Sequence, residues 1–349
     1  KLLIDPMNKT FYSMKKYFSF STVFAISLTI LGSCAKNEKV DPSITNIVVT
    51  NPNFQTLEDA AVRGNVALLL GNKNPDDPQG NYTVFAPTNA AFARLGLSSA
   101  SDLMALQPGF LRSTLLYHVF SGTLPGRALT PGSVSASAGG PTEPTRRIIR
   151  RADNSLYVNG SKILDTDVAA ANGLIHPIDK VLLATGDDVL NSALALQQGS
   201  VFVKPELTFL VEAVVYCDLQ SALMGSPGSP ALTVFAPTDQ AFRELGVALN
   251  VPLNQPRDIR NLPVATVKAV LLNHVIAGGT HGGQFTSELP ENTTVASAER
   301  EPLAFGPFNN GALTVKGGGN GATAANLVIP DVQCTNGVVH VIDRVLLPQ

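Results

Sequence analysis

The sequence predicts an α+β protein built from two copies of one domain, each with several short helices packed on β-sheet. Three observations predict it. First, Thr-Val-Phe-Ala-Pro-Thr occurs at 83–88 and again at 233–238, an identity that accident produces in roughly one random chain of this length in a thousand. Second, two further blocks match in the same order. Leu115-Leu116-Tyr117-His118-Val119 is answered by Leu271-Leu272-Asn273-His274-Val275, and the run from Asn172-Gly173 to Leu182-Leu183 by the run from Asn336-Gly337 to Leu346-Leu347. The offset grows from 150 between Thr83 and Thr233 to 156 between His118 and His274 and 164 between Asn172 and Asn336, so the second copy carries loop insertions. The period is too long for a solenoid. Third, each copy runs from helical periodicity into short β-branched and aromatic strands.

The elements follow in chain order. Helical periodicity covers 44–70 in the first copy and 189–224 in the second, broken by Asn, Gly or Pro. Tyr82-Thr83-Val84-Phe85-Ala86 and Leu232-Thr233-Val234-Phe235-Ala236 read as central buried strands. Pro87 and Pro237 end them by removing a ladder donor, and Thr88 and Thr238 can cap the next helix. Gly96 and Gly246 fit the left-handed position that stops that helix. The Asn-Gly pairs at 172–173 and 336–337 predict turns needing positive φ before a final apolar strand. Gly317-Gly318-Gly319-Asn320-Gly321 follows one strand-like run and leads into another, which predicts a hairpin turn rather than a phosphate cradle.

These blocks resemble the fasciclin-type (FAS1) domain, whose two signatures are each present twice. One is Thr-Val-Phe-Ala-Pro-Thr-(Asn/Asp)-x-Ala-Phe; the other is Asn-Gly-x-x-His-x-Ile-Asp-x-Val-Leu-Leu, preceded in the first copy by Leu156-Tyr157-Val158-Asn159-Gly160. The resemblance covers about residues 45–348. It implies two domains, 45–185 and 186–349, each a β-sandwich or wedge of two sheets with several short helices packed on it. It also implies an extracellular adhesion or interaction module without general enzymatic chemistry. A tyrosine-histidine pair tied to integrin binding in animal members is matched by Tyr117-His118, while Asn273-His274 keeps only the histidine.

The start of the chain reads as an address. From Met14, or from Met7, two lysines precede an apolar run over 17–31 and then Leu31-Gly32-Ser33-Cys34, which resembles a bacterial lipoprotein signal. Residues 1–33 are then a cleaved signal peptide, Cys34 the lipid-attachment site and 34–44 a tether; an uncleaved anchor is the alternative. The run falls short of the roughly 20 residues a spanning helix needs. Ala35 is compatible with sorting to the outer membrane, facing either the periplasm or the surface. Residues 1–33 carry four lysines against Asp5, so the formal charge of −2 becomes −5 without them, and nucleic acid is not an expected partner.

Candidate site residues are few. Arg146, Arg147, Arg150 and Arg151 form a cluster that can grip an anionic polysaccharide or phosphate, or can be a solvated strand edge that discourages aggregation. Tyr117, His118, Asn273 and His274 are candidate ligand contacts, with a satisfied core histidine as the plainer reading. His176 and His340 read as imidazoles fixed by backbone hydrogen bonds, and Asp179 and Asp343 fall on the opposite strand face. His281, lone among glycines, makes no metal site. Cys217 and Cys334 are either a disulfide, permissible after export, or two buried free thiols.

No Gly-x-Ser-x-Gly elbow, His-Glu-x-x-His helix or Cys-x-x-Cys pair occurs. With no tryptophan and 6% aromatic residues the chain lacks the makings of a deep stacking platform. The reading is a non-catalytic, lipid-anchored adhesion or ligand-binding protein of the bacterial envelope. It needs no cofactor or metal, and its partner is extracellular matrix, a cell-surface protein or a polysaccharide. The alternatives are an envelope hydrolase or transferase with an unrecognised site and a purely structural envelope protein.

Overall fold

The apolar strands of the repeated blocks lie side by side in the centre of each copy. Tyr82–Pro87 pairs in parallel with Gly173–Ile178 and antiparallel with Val119–Ser121. Leu232–Pro237 pairs in parallel with Gly337–Ile342 and antiparallel with Val275–Ala277. The register repeats: Phe85 faces His176 and Phe235 faces His340. All six residues of Tyr82–Pro87 are buried, because helices cover one face of the sheet and a second sheet covers the other. The computed structural model describes residues 41–132, 134–135, 138, 145–197, 207–226, 228–278 and 283–349. Val40–Gln349 forms one compact unit by its contacts.

The strand, corner and cap arise as the sequence predicts. Thr88 accepts from the Ala91 amide and Thr238 from the Ala241 amide, starting the helices Asn89–Ala93 and Asp239–Leu249. Gly96 has φ of 75° just past the first helix. Gly246 does not end the second; it lies inside it, and Asn250 at φ 52° is the left-handed cap. The Asn-Gly turns also need a different explanation. Gly173 has positive φ but Gly337 does not. What both require is close approach: a Cβ at Gly173 would lie 1.8 Å from the Tyr82 carbonyl oxygen, and one at Gly337 2.3 Å from that of Leu232. The asparagines fasten the first helix of each copy, Asn172 Oδ1 accepting from the Ile44 amide and Asn336 Oδ1 from the Val189 amide.

In the first copy the second sheet is separate, formed by Val134–Ser135, Arg146–Arg150, Leu156–Val158 and Ser161–Lys162. In the second copy the ten-residue strand Ala325–Cys334 joins both sheets, pairing near its start with Thr314–Gly317 and farther along with Gly337–Ile342 through two register shifts. The glycine-dense segment is the expected hairpin connection between Thr314–Gly317 and Ala325–Cys334. Phe85, Ile148 and Val158 fill the gap between the sheets in one copy, and Phe235, Phe305 and Val315 do so in the other.

The segment joining the copies is itself a strand. Leu183–Ala184 adds in parallel to Val332–Gln333, so the end of the first copy extends the sheet of the second. Among the described residues, no helix is long and apolar enough to cross a membrane.

Candidate functional site

The histidines are backbone pins. His118 caps the helix Pro108–Tyr117; its Nδ1–H donates to the Thr114 carbonyl at 2.7 Å and its Nε2 accepts from the Leu182 amide at 2.8 Å. His274 repeats this, donating to the Val270 carbonyl at 2.7 Å and accepting from the Leu346 amide at 2.8 Å. Each ties a helix end to the closing segment of its copy. His176 and His340 use the opposite nitrogens. Nδ1 accepts from the Asp167 or Asp331 amide at 3.1 Å, and Nε2–H donates to the Leu124 or Gln284 carbonyl. Burial pushes His118 and His274 down to about 4, and lowers His176 and His340 as well. Four neutral imidazoles with both ring nitrogens engaged hold no spare base for proton transfer. Asp179 and Asp343 turn to other backbone amides, those of Lys162 and Asn326. His281 lies outside the described residues, as does Cys34.

Tyr117 is buried, and its hydroxyl donates to Gln333 Oε1 of the other copy while accepting from Asn159 Nδ2. Asn273, at the matching place, is also buried and donates to the Leu346 carbonyl. Neither the Tyr117-His118 pair nor Asn273-His274 reaches the surface.

The arginine cluster is not a solvated edge. Arg146 is fully buried, donates to the Tyr117 and Val119 carbonyls, and lies over the Phe85 and Tyr117 rings. Arg147 crosses to the second copy, with Glu288 at 2.7 Å, the Gly283 carbonyl at 2.8 Å and the Phe285 ring beneath it. Arg151 does the same with Glu291 at 2.7 Å, the Ser287 carbonyl and the Phe308 ring. Of the eight non-cysteine candidates, Arg150 is the exposed one.

The residues that sequence reasoning missed sit at the centre of this seam. Lys180 Nζ donates to Asp331 Oδ2 at 2.7 Å, Thr286 Oγ1 at 2.9 Å and the Gly311 carbonyl at 2.6 Å. Asp331 also accepts from the Thr286 amide. Gly160 leaves room for it, since a Cβ there would lie 1.9 Å from Asp331 Oδ2. Burial alone would raise the Asp331 carboxyl; the Lys180 charge and the Lys180 and Thr286 hydrogen bonds outweigh it, leaving it below the usual carboxylate range. The one sequence signal was a lysine inside an apolar block, which reads equally well as a surface charge.

Cys217, at the end of the helix Thr208–Tyr216, and Cys334, at the end of Ala325–Cys334, are buried free thiols. Burial raises Cys217 and pushes Cys334 up to about 11, so both are poor nucleophiles. Alkylation is expected to leave both unmodified in the native protein and to label both in denaturant without reductant. Mass spectrometry reads the result, and failure to label in denaturant would show a disulfide. Among the described residues, no group of three or more His, Cys, Asp or Glu side chains could hold a metal ion.

The Fasciclin domain family matches residues 52–184 and 205–348 of the chain. Transforming growth factor-beta-induced protein ig-h3 of Oryctolagus cuniculus is 28% identical over 355 residues, covering 99% of this chain and 47% of that protein. The chain thus spans about half the length of that relative. Protein sll1483 of Synechocystis sp. is 31% identical over 142 residues, 40% of this chain and 73% of that protein. A solved FAS1 domain pair from the insect cell adhesion molecule Fasciclin I aligns with a TM-score of 0.36 at 16% identity, over 87% of this chain and 95% of that one.

Proposed function

This chain belongs to the fasciclin domain family, with two copies of the domain in tandem, and from that premise we propose a non-catalytic adhesion or ligand-binding protein of a bacterial cell envelope, tethered through a lipid on Cys34. The observation that carries the reading is the seam. Many residues shared by the two copies are engaged in folding, and Arg147, Arg151 and Lys180 of the first are engaged in holding the second. A partner then meets the outward loops in which the copies differ. Fixing two modules in one body sets the spacing of those loops, which favours simultaneous engagement of a repetitive partner. The partner classes are extracellular matrix, a cell-surface protein or a polysaccharide. Arg150 is available to an anionic partner, whereas Arg146 and Arg147 are buried.

The test compares cells carrying the full chain with cells lacking it for retention on immobilised matrix proteins, envelope polysaccharide and other cells. A Cys34→Ser variant is expected to be released from the membrane fraction and to lose retention. Equal retention with and without the protein on every surface would refute the adhesion reading.

A further inference from the structure

Each copy has an apolar cavity, partly open to solvent, at the same place, between its N-terminal helices and its central strand. The first, about 120 Å³, is lined by Ile44, Leu57, Leu70, Val84 and Leu115. The second, about 170 Å³, is lined by Val189, Leu210, Leu223, Val234 and Leu271. These are equivalent positions. Ile44 and Val189 are the residues whose amides bond the block asparagines, and Val84 with Val234 and Leu115 with Leu271 belong to the repeated blocks. The helical stretches themselves share little sequence, so the void follows the fold rather than one set of side chains.

Protein interiors are close-packed, and an unfilled apolar void costs stability in proportion to its size. Two such voids in one molecule therefore need an occupant or a reason. The lining rules out a polar one. Apart from His274, whose ring nitrogens are already bonded, no polar side chain lines the second cavity; the polar side chains at the first are His118, whose ring nitrogens are likewise bonded, Thr45 and Glu58. A polar ligand would lose its water and gain no partner. Val49 and Val62, which line the first cavity, are 50% and 66% exposed and mark its mouth on the helical face.

We propose that each cavity binds the end of an unbranched hydrocarbon chain, with its polar head left in solvent at the mouth. A dry apolar cavity of about 150 Å³ holds benzene, so these two accept about six carbon atoms each. Glu58 at the first cavity disfavours an anionic head there. The chain belongs either to a free amphiphile or to a membrane lipid. The proposal does not depend on the adhesion reading.

The experiment titrates the full chain with 1-butanol, 1-hexanol and 1-octanol, following the thermal midpoint and the methyl NMR signals of Val84 and Val234. A saturable rise is expected, with affinity growing about fourfold per methylene up to 1-hexanol and little beyond. Ala61→Leu and Ala193→Leu fill the first and second cavities respectively and are expected to abolish the shifts of their own copy alone. Contacts from alkanol protons to the Val84 and Val234 methyls in the unaltered protein provide a readout that does not depend on those variants folding. Vesicles of phosphatidylethanolamine and phosphatidylglycerol separate the sources. Vesicle binding lost on filling both cavities assigns the chain to a membrane lipid, and alkanol binding without vesicle binding assigns it to a free amphiphile. A midpoint that falls monotonically with every alkanol, with no shift at either methyl, overturns the proposal.

Discussion

Between pH 6.5 and 4 the protein is expected to lose about 3 kcal/mol of stability at His118 and as much again at His274. The sign follows from the direction of the shift. Both imidazoles are held at about 4 in the folded chain, against an ordinary value near 6.5. Above pH 6.5 both are neutral whether folded or not, and their stabilisation is complete. As the pH falls below 6.5 the unfolded chain takes up protons that the folded chain refuses, so stability drops until the folded values are reached. Burial is the main cause, and the geometry adds to it. A protonated ring would turn Nε2–H toward the amide N–H of Leu182 or Leu346, placing donor against donor where the closing segment is fastened. His176 and His340 are lowered too and act in the same direction. Against a total of roughly 5–15 kcal/mol for a typical domain, the pair is enough to decide whether the protein stays folded at pH 4. Urea unfolding across this range reads the slope, expected near two protons or more at pH 5.5, and His274→Gln is expected to lower it by one. A stability that does not change between pH 6.5 and 4.5 would sink the argument.

The same histidines show what was legible in the sequence. His176 and His340 read from the sequence as imidazoles fixed by backbone hydrogen bonds, whereas His118 and His274 stood as candidate ligand contacts with a satisfied core histidine as the plainer reading; the structure bonds both ring nitrogens of all four, and the distances at His118 and His274 agree to a tenth of an ångström. The central strands, threonine caps and closing strands were legible for the same reason: each is specified by a few consecutive residues. What joins the copies was not. Arg147 and Glu288 are 141 residues apart, and nothing local in Arg-Arg-Ile-Ile-Arg-Arg distinguishes a charged edge open to water from one that another domain covers. Gly246 misled for a related reason. A glycine after a short helix looks like its end, but a Cβ at 246 would lie 2.7 Å from the Val251 carbonyl oxygen, so glycine there allows the chain beyond the helix to fold back closely. The cavities were invisible because a void is a property of packing between segments, not of any one of them.

Lys180→Met is expected to cost about 3–5 kcal/mol, the loss typical of removing one partner from a buried ion pair. The Lys180 and Asp331 side chains are 9% and 10% exposed. With the lysine gone, Asp331 keeps its charge beside the Thr286 amide but loses the cation that offsets its burial. The seam then has two ways to relax. Asp331 can protonate, which relieves part of the loss as the pH falls and leaves it full at higher pH, or the copies can part there and admit water, leaving Arg147, Arg151 and the Leu183–Ala184 strand to hold them. The double variant Lys180→Met with Asp331→Asn separates these effects. Asparagine tolerates the left-handed backbone of residue 331, at φ 67°, and can still accept from the Thr286 amide, so the double variant is expected to recover most of the loss. Chemical unfolding gives the energies, and limited proteolysis near Ala184 with small-angle scattering reports whether the copies separate. If Lys180→Met changes stability by less than about 0.5 kcal/mol, as an ordinary surface substitution does, with cleavage and scattering unchanged, Lys180 does not hold the seam. Recovery in the double variant with separation in the single one means that the lysine mainly neutralises a carboxylate the seam has already buried. The two copies then act as one body because Arg147, Arg151 and Lys180 each meet a carboxylate across the seam.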